Sequence, residues 1–146
     1  MSVSVVVPCF DEADRLDRSA FDELVDGVDE VLFVDDGSSD ATPEILRQLA
    51  DAHPSRVRVM TLFDNVGKAE AVRLGMLDSI ARGASVVGYL DAGLAPPPAE
   101  MLRLVAVAAG EPPRTAVLGS RVALLGHTVE RRPTRHYLGR WYATAA

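Results

Sequence analysis

The sequence predicts an α/β fold, with a parallel or mostly parallel sheet covered by helices on both faces. Three observations carry that expectation. Short apolar, β-branched runs recur along the chain, stretches of helical character separate them, and acids or glycines cluster where the runs end. Strand and helix in alternation build parallel connections, and these gather the carboxyl ends of the strands on one side, where ligands bind.

The runs are "VSVVV" (3–7), "EVLFV" (30–34), "VRVMTL" (57–62), "SVVGYL" (85–90) and "TAVLGS" (115–120), each short enough for a strand buried on both faces. Helices are expected at roughly 14–27, 41–52, 66–82 and 97–109. Asp40 is suited to cap the helix that contains "ATPEIL", and Pro97 and Pro98 suit a first turn, where a missing N–H costs nothing. The chain has neither an internal repeat nor a low-complexity linker, and its 146 residues match one domain able to bury a core.

Composition narrows the class. Apolar residues make up 48% and charged residues 25%, the balance of a soluble globular protein. Cys9 is the single cysteine, so no intrachain disulfide forms and a reducing compartment is the natural expectation. The start "MSVSVVVPCFDEAD" has no basic leader and differs from a signal peptide. No apolar run approaches the roughly 18 to 20 residues that span a bilayer. The expected location is cytoplasmic, with peripheral attachment to the inner face of the membrane as the further option. Charge is unevenly spread: up to Ser120 there are 20 Asp and Glu against 10 Lys and Arg, whereas from Arg121 onward five arginines face only Glu130. Such a basic tail meets phosphate on a ligand or a membrane surface, or is simply a solvated helix.

Several α/β nucleotide folds are excluded by their motifs. A dinucleotide-binding domain carries Gly-x-Gly-x-x-Gly after its first strand, where this chain has "PCFDEAD". A P-loop needs a glycine five residues before its Gly-Lys pair and a hydroxyl after it; Leu62 and Ala69 hold those positions around Gly67 and Lys68. A phosphoacceptor receiver domain would use acids such as Asp35, Asp36 and Asp91, but it also wants a lysine after a later strand than Lys68, the sole lysine of the chain.

Five blocks in order, "VSVVVPCFDEADRL", "VLFVDDGSSDATPEIL", "NVGKAEAVRLGM", "VVGYLDAGLAPPPAEM" and "AVLGSRV", resemble the family-2 glycosyltransferases of GT-A fold. Their branch most resembles the dolichol-phosphate mannosyltransferase type, and the likeness covers nearly the whole chain. It implies an inverting transferase that moves a sugar from a GDP- or UDP-linked donor to a polyprenyl phosphate, as in cell-envelope biosynthesis. The donor-binding core is expected at 1–120, and 121–146 is expected to form a basic acceptor-side or interfacial segment of the same domain.

The resemblance assigns roles residue by residue. Pro8, Phe10 and Glu12 stand where the family holds the nucleotide, with Asp11 in place of the usual asparagine in a loop that mainly shapes the turn. Asp35 and Asp36, in the Asp-Asp-Gly-Ser element, are implied to recognise base and ribose, and Asp36 is the preferred contact. Lys68, alone among 14 arginines, falls where the family has a similar Gly-Lys and is expected to face the donor phosphates or to hold its loop. Cys9 reads as a small apolar residue at a strand end. His53, His127 and His136 lack metal-ligand spacing.

The stretch "YLDAGLAPPPAEM" bears on metal. The family carries Asp-x-Asp here, and a divalent cation (Mg or Mn) bound by hard oxygens neutralises the leaving diphosphate. This chain reads Asp91, Ala92, Gly93, so Asp91 is the expected metal and donor residue while Gly93 offers no side-chain oxygen. Three readings stay open: Asp91 holds the cation with water and donor phosphates, arginines replace the metal, or the chain is a non-catalytic nucleotide-sugar-binding module. Arg121 matches a Gly-Ser/Thr-Arg element and is expected beside the donor phosphates. Arg131, Arg132, Arg135 and Arg140 are expected to hold the acceptor phosphate, with Tyr137, Trp141 and Tyr142 suited to an interface. An anionic acceptor needs no general base. The family's catalytic domain normally continues for many tens of residues past this point, so the core is expected to be C-terminally short.

Overall fold

The computed structural model describes residues 1–119. Four strands form one parallel sheet: β1 (Val3–Cys9), β2 (Glu30–Asp35), β3 (Val57–Thr61) and β4 (Val86–Tyr89), in the order β3-β2-β1-β4. The helices between and after them are α1 (Arg18–Gly27), α2 (Thr42–Ala52), α3 (Lys68–Ala81) and α4 (Pro98–Gly110). The register pairs Val5 with Val31, Phe33 with Val59, and Val6 with Tyr89.

The strand order explains why helices cover both faces. From β1 to β2 to β3 the chain steps outward in one direction, and then β4 returns to the far side of β1. Parallel crossovers are right-handed, so reversing the direction of travel moves the connecting helix to the opposite face. On one face Val5, Val7, Cys9, Val31 and Phe33 pack with Phe21 and Leu24 of α1, Leu46 and Leu49 of α2, and Met101 of α4. The other face is covered by α3, where Val6, Leu32 and Val34 meet Ala71. Gly75 lets α3 come close: a Cβ there would lie 2.6 Å from Val6 Cγ1 and 2.8 Å from Val34 Cγ2. Burial on both sides is why β1 and β2 read as unbroken apolar runs instead of alternating ones. Phe21 and Phe33 meet edge to face with centroids 5.1 Å apart, a favoured aromatic geometry.

The expected elements hold with shifted ends, and one does not form. The first helix begins at Arg18, not near 14, because Glu12 O accepts the N–H groups of Arg15 and Leu16 in a preceding turn and Asp17 then caps the helix by accepting from Ser19 and Ala20. Asp40 sits one residue before the backbone cap Ala41, yet its Oδ1 accepts the Thr42 N–H at 2.8 Å. The fifth strand expected at 115–120 is corrected: 115–119 have no strand, and residue 120 lies outside the described residues. Pro112 and Pro113 precede a turn in which Arg114 has φ +69°, and Leu118 is left exposed. Among the described residues no strand pairs with 115–119, although a Cβ at Gly119 would lie 3.4 Å from Leu104 Cδ1 of α4.

Candidate donor site at the carboxyl ends of the strands

In open parallel sheets the ligand crevice lies where the strand order reverses, outside the carboxyl ends of the strands. Here that point is between β1 and β4. The segments leaving those two strands carry Phe10, Asp11 and Glu12 on one side and Asp91, Ala92 and Gly93 on the other. The N–H of Leu90 donates to Val6 O at 3.0 Å, so Asp91 leaves the sheet beside the end of β1.

The loop after β1 is clasped to the loop after β2. Asp11 has φ +48°, a left-handed conformation that Asp tolerates better than most residues. Its Oδ1 accepts the Ser39 N–H at 2.8 Å, and its own N–H donates to Ser38 Oγ at 3.1 Å. The N–H of Glu12 donates to the buried Thr42 hydroxyl at 2.8 Å, and that of Ala13 donates to Asp40 Oδ2 at 3.0 Å. The Asp40 carboxyl is held below its ordinary range, chiefly by the Thr42 side chain and then by backbone N–H groups. Asp11 therefore does shape the turn. Glu12 is left at the crevice with Oε2 buried; Arg15 Nε lies 2.8 Å from it as an ion contact, but the oxygen accepts no hydrogen bond of ordinary geometry.

A second scaffold carries Lys68. Asp36 is only 2% exposed, and its two oxygens accept the N–H groups of Val66 (2.8 Å) and Gly67 (2.9 Å) from the loop between β3 and α3. Gly37, at φ +73°, lies so close to that loop that a Cβ would come within 2.9 Å of Asn65 N. Gly67, at φ +89°, turns the chain into α3, whose first residue is Lys68. The Lys68 ammonium pairs with Asp91 Oδ1, with the lysine side chain 57% exposed and the aspartate 36%. Asp91 Oδ1 is buried and, beyond that ion contact, accepts no hydrogen bond of ordinary geometry. Asp35 is fully buried, and its Oδ1 accepts the Ser38 N–H at 3.1 Å.

Of the residues singled out in the sequence, Glu12, Lys68 and Asp91 come to the carboxyl side of the sheet with unsatisfied or ionic groups. Phe10 is 44% exposed beside them, whereas Pro8 is buried inside β1 opposite Val34. Ala92 is buried in the core, and Gly93 is exposed with open space around it. The turn from Asp91 to Leu94 closes through the Leu94 N–H on Asp91 O at 2.9 Å, with Leu94 at φ +46°. Burial pushes the Cys9 thiol well above its ordinary value, with the charges of Glu12 and Asp35 adding to the effect, so it is a packed side chain and no nucleophile. Thr42, Ser38 and Asp11, which build the clasp, gave no sequence signal beyond their tolerance for turns. Arg121, Arg131, Arg132, Arg135 and Arg140 lie outside the described residues, as does the whole segment 121–146.

The cation implied by the resemblance finds few ligands here. Among the described residues no three Asp, Glu, His or Cys side chains converge. The Asp91 oxygen that faces a neighbour is taken by Lys68, and Gly93 supplies none. Among the described residues this set of ligands does not fit a divalent ion held by side chains alone, which would need several hard oxygens.

The parallel sheet has helices on both faces and the carboxylates Glu12 and Asp91 just beyond the ends of β1 and β4, and the matches that follow make it a GT-A-like domain. The sequence profile described as Glycosyl transferase family 2 matches residues 4–145, so the chain belongs to that family. It is 39% identical over 112 residues to an undecaprenyl-phosphate 4-deoxy-4-formamido-L-arabinose transferase of Sodalis glossinidius, covering 73% of this chain and 33% of that protein. It is 36% identical over 104 residues to a dolichyl-phosphate beta-glucosyltransferase of Drosophila melanogaster, covering 63% of this chain and 31% of that one. The chain thus spans about a third of the length of these curated relatives. In fold it resembles S. aureus TarS 1-349 in complex with UDP (TM-score 0.52, 21% identity, 64% of this chain and 28% of that chain). It likewise resembles a mycobacterial protein (TM-score 0.51, 24% identity, 76% and 37% covered). No helix among the described residues is long and apolar enough to cross a membrane.

Proposed function

We propose that this chain forms the donor-binding part of a glycosyltransferase that moves a sugar from a nucleotide-diphosphate sugar, GDP- or UDP-linked, to a polyprenyl phosphate, with inversion at the anomeric carbon. The observation that carries the donor site is the pair of buried carboxylate oxygens, Glu12 Oε2 and Asp91 Oδ1, that lack ordinary hydrogen bonds at the ends of the neighbouring strands β1 and β4. Each of these oxygens meets only a cation, Arg15 or Lys68, and ring N–H groups and sugar hydroxyls would fill the acceptor positions that those contacts leave open.

In this reading Phe10 lies against the base and Glu12 accepts from the nucleotide, while Pro8, buried in β1, supports the strand end from within the sheet. Asp35 and Asp36 belong to the same donor element, and Asp36 acts through the loop it fastens to carry Lys68. Asp91 and Gly93 line the side of the sugar and diphosphate, while Ala92 packs into the core beneath them. Arg121 meets the leaving phosphates, and Arg131, Arg132, Arg135 and Arg140 hold the acceptor phosphate at or near a membrane surface. A phosphate acceptor is already an anion at neutral pH, so it attacks in line without a general base. Catalysis then comes from positioning and from stabilising the departing diphosphate. Names among the relatives support the acceptor class: both curated proteins above are named for transfer to a polyprenyl phosphate.

The test is to incubate the full chain with UDP- and GDP-sugars and a short polyprenyl phosphate, following release of nucleoside diphosphate and labelled lipid. Transfer that disappears in Asp91→Ala is the expected result. Donor binding without release of diphosphate would instead make the chain a binding module, and absence of donor binding would end the proposal.

A further inference from the structure

We infer that the donor's diphosphate is met by the Lys68 ammonium seated on Asp91, and that nucleoside diphosphate binds this chain without a divalent cation; this rests on the donor-site reading above. Asp91 and Lys68 form the ion pair that occupies the position where a cation would sit against the first carboxylate. A divalent ion would have to displace that ammonium, and afterwards it would hold one carboxylate from the described residues.

The missing second carboxylate is a chemical choice and not a conformational one. A Cβ at Gly93 would meet nothing within 4 Å, and Gly93 is not among the glycines with positive φ. An aspartate would fit there, so the backbone does not require glycine. Lys68, by contrast, is placed by a demanding scaffold: Asp36 is buried to hold Val66 and Gly67, and Gly37 is packed against the same loop. An ammonium has three donors on a compact charge, so one can face Asp91 while the others face phosphate oxygens. More than half of the lysine side chain is open to solvent, which leaves the approach free. Asp91 then orients the ammonium and limits the net positive charge of the site.

Isothermal calorimetry on the full chain with UDP and GDP tests this, in EDTA and again with manganese. The expected result is binding of at least one nucleotide in EDTA that manganese improves by less than about threefold, with Lys68→Met weakening it by about tenfold or more and Lys68→Arg retaining most of it. Urea midpoints of both variants, expected to match the parent, separate a lost contact from a lost fold. Gly93→Asp should make binding respond to manganese. Binding by the parent chain only with manganese, or binding in EDTA indifferent to Lys68→Met, overturns the inference and leaves the donor site standing. No binding of either nucleotide under any condition overturns the donor-site reading itself.

Discussion

Replacing Asp36 with alanine should destabilise the whole domain and not merely the loop it touches. The carboxylate accepts the Val66 N–H at 2.8 Å and the Gly67 N–H at 2.9 Å from a position only 2% exposed. Each charge-assisted bond is worth about 1.5–3 kcal/mol, so the gross loss is about 3–6 kcal/mol. Two effects offset part of it. Gly67 N–H keeps Asn65 Oδ1 at 3.1 Å, and the half-exposed Val66 lets water reach its amide. Removing a buried carboxylate also removes its desolvation cost. The net expectation is a loss of about 2–3 kcal/mol, or a drop in urea midpoint of about 1–1.5 M for an m-value of about 2 kcal/mol/M. Circular dichroism during urea titration measures it. Hydrogen exchange adds a local readout, since the Val66 and Gly67 amides should lose more protection than the Val6 and Leu32 amides of the strands. A loss below about 0.5 kcal/mol, with unchanged exchange at 66 and 67, would refute the view that Asp36 fastens this loop.

Two further outcomes follow from the same geometry. Gly37→Ala combines a left-handed φ of +73° with a Cβ 2.9 Å from the Asn65 nitrogen, and should cost at least about 2 kcal/mol, whereas Gly93→Ala, with open space around it, should stay within about 0.5 kcal/mol; paired thermal melts compare them. Because the Cys9 thiol is raised in the folded state by burial and by Glu12 and Asp35, the folded chain holds its proton where the unfolded chain releases it. Its contribution is therefore complete below the ordinary thiol value of 9.0 and is lost as pH rises above it. Urea midpoints between pH 8 and 10 should fall more steeply for the parent than for Cys9→Ala, and equal slopes would contradict the assignment.

Much of the fold was legible because it is written in local composition. Continuous apolar runs such as "VSVVV" and "VLFV" have one economical use, a strand covered on both faces, and the structure puts them at β1 and β2. The acids and glycines after them marked the carboxyl side of the sheet, where Glu12, Lys68 and Asp91 gather. The run at 115–120 misled for the complementary reason: its composition matches a strand, but pairing needs an edge, and an edge is not a property of the run. Asp36 was read as a contact for ligand because a carboxylate after a strand looks the same whether it faces solvent or a neighbouring loop; the Val66 and Gly67 amides lie some 30 residues away in sequence.

The alternation of strands and helices, the side of the sheet on which chemistry collects and the missing oxygen at Gly93 are all readable from the residues in order. Those follow from the residue types at each position and their immediate neighbours. That Asp11 clasps one loop to the next, that Asp36 faces inward and that Lys68 rests on Asp91 emerges once the chain is folded. Those contacts join segments that are distant along the chain, and the return of β4 beside β1 is what sets Asp91 within reach of Lys68.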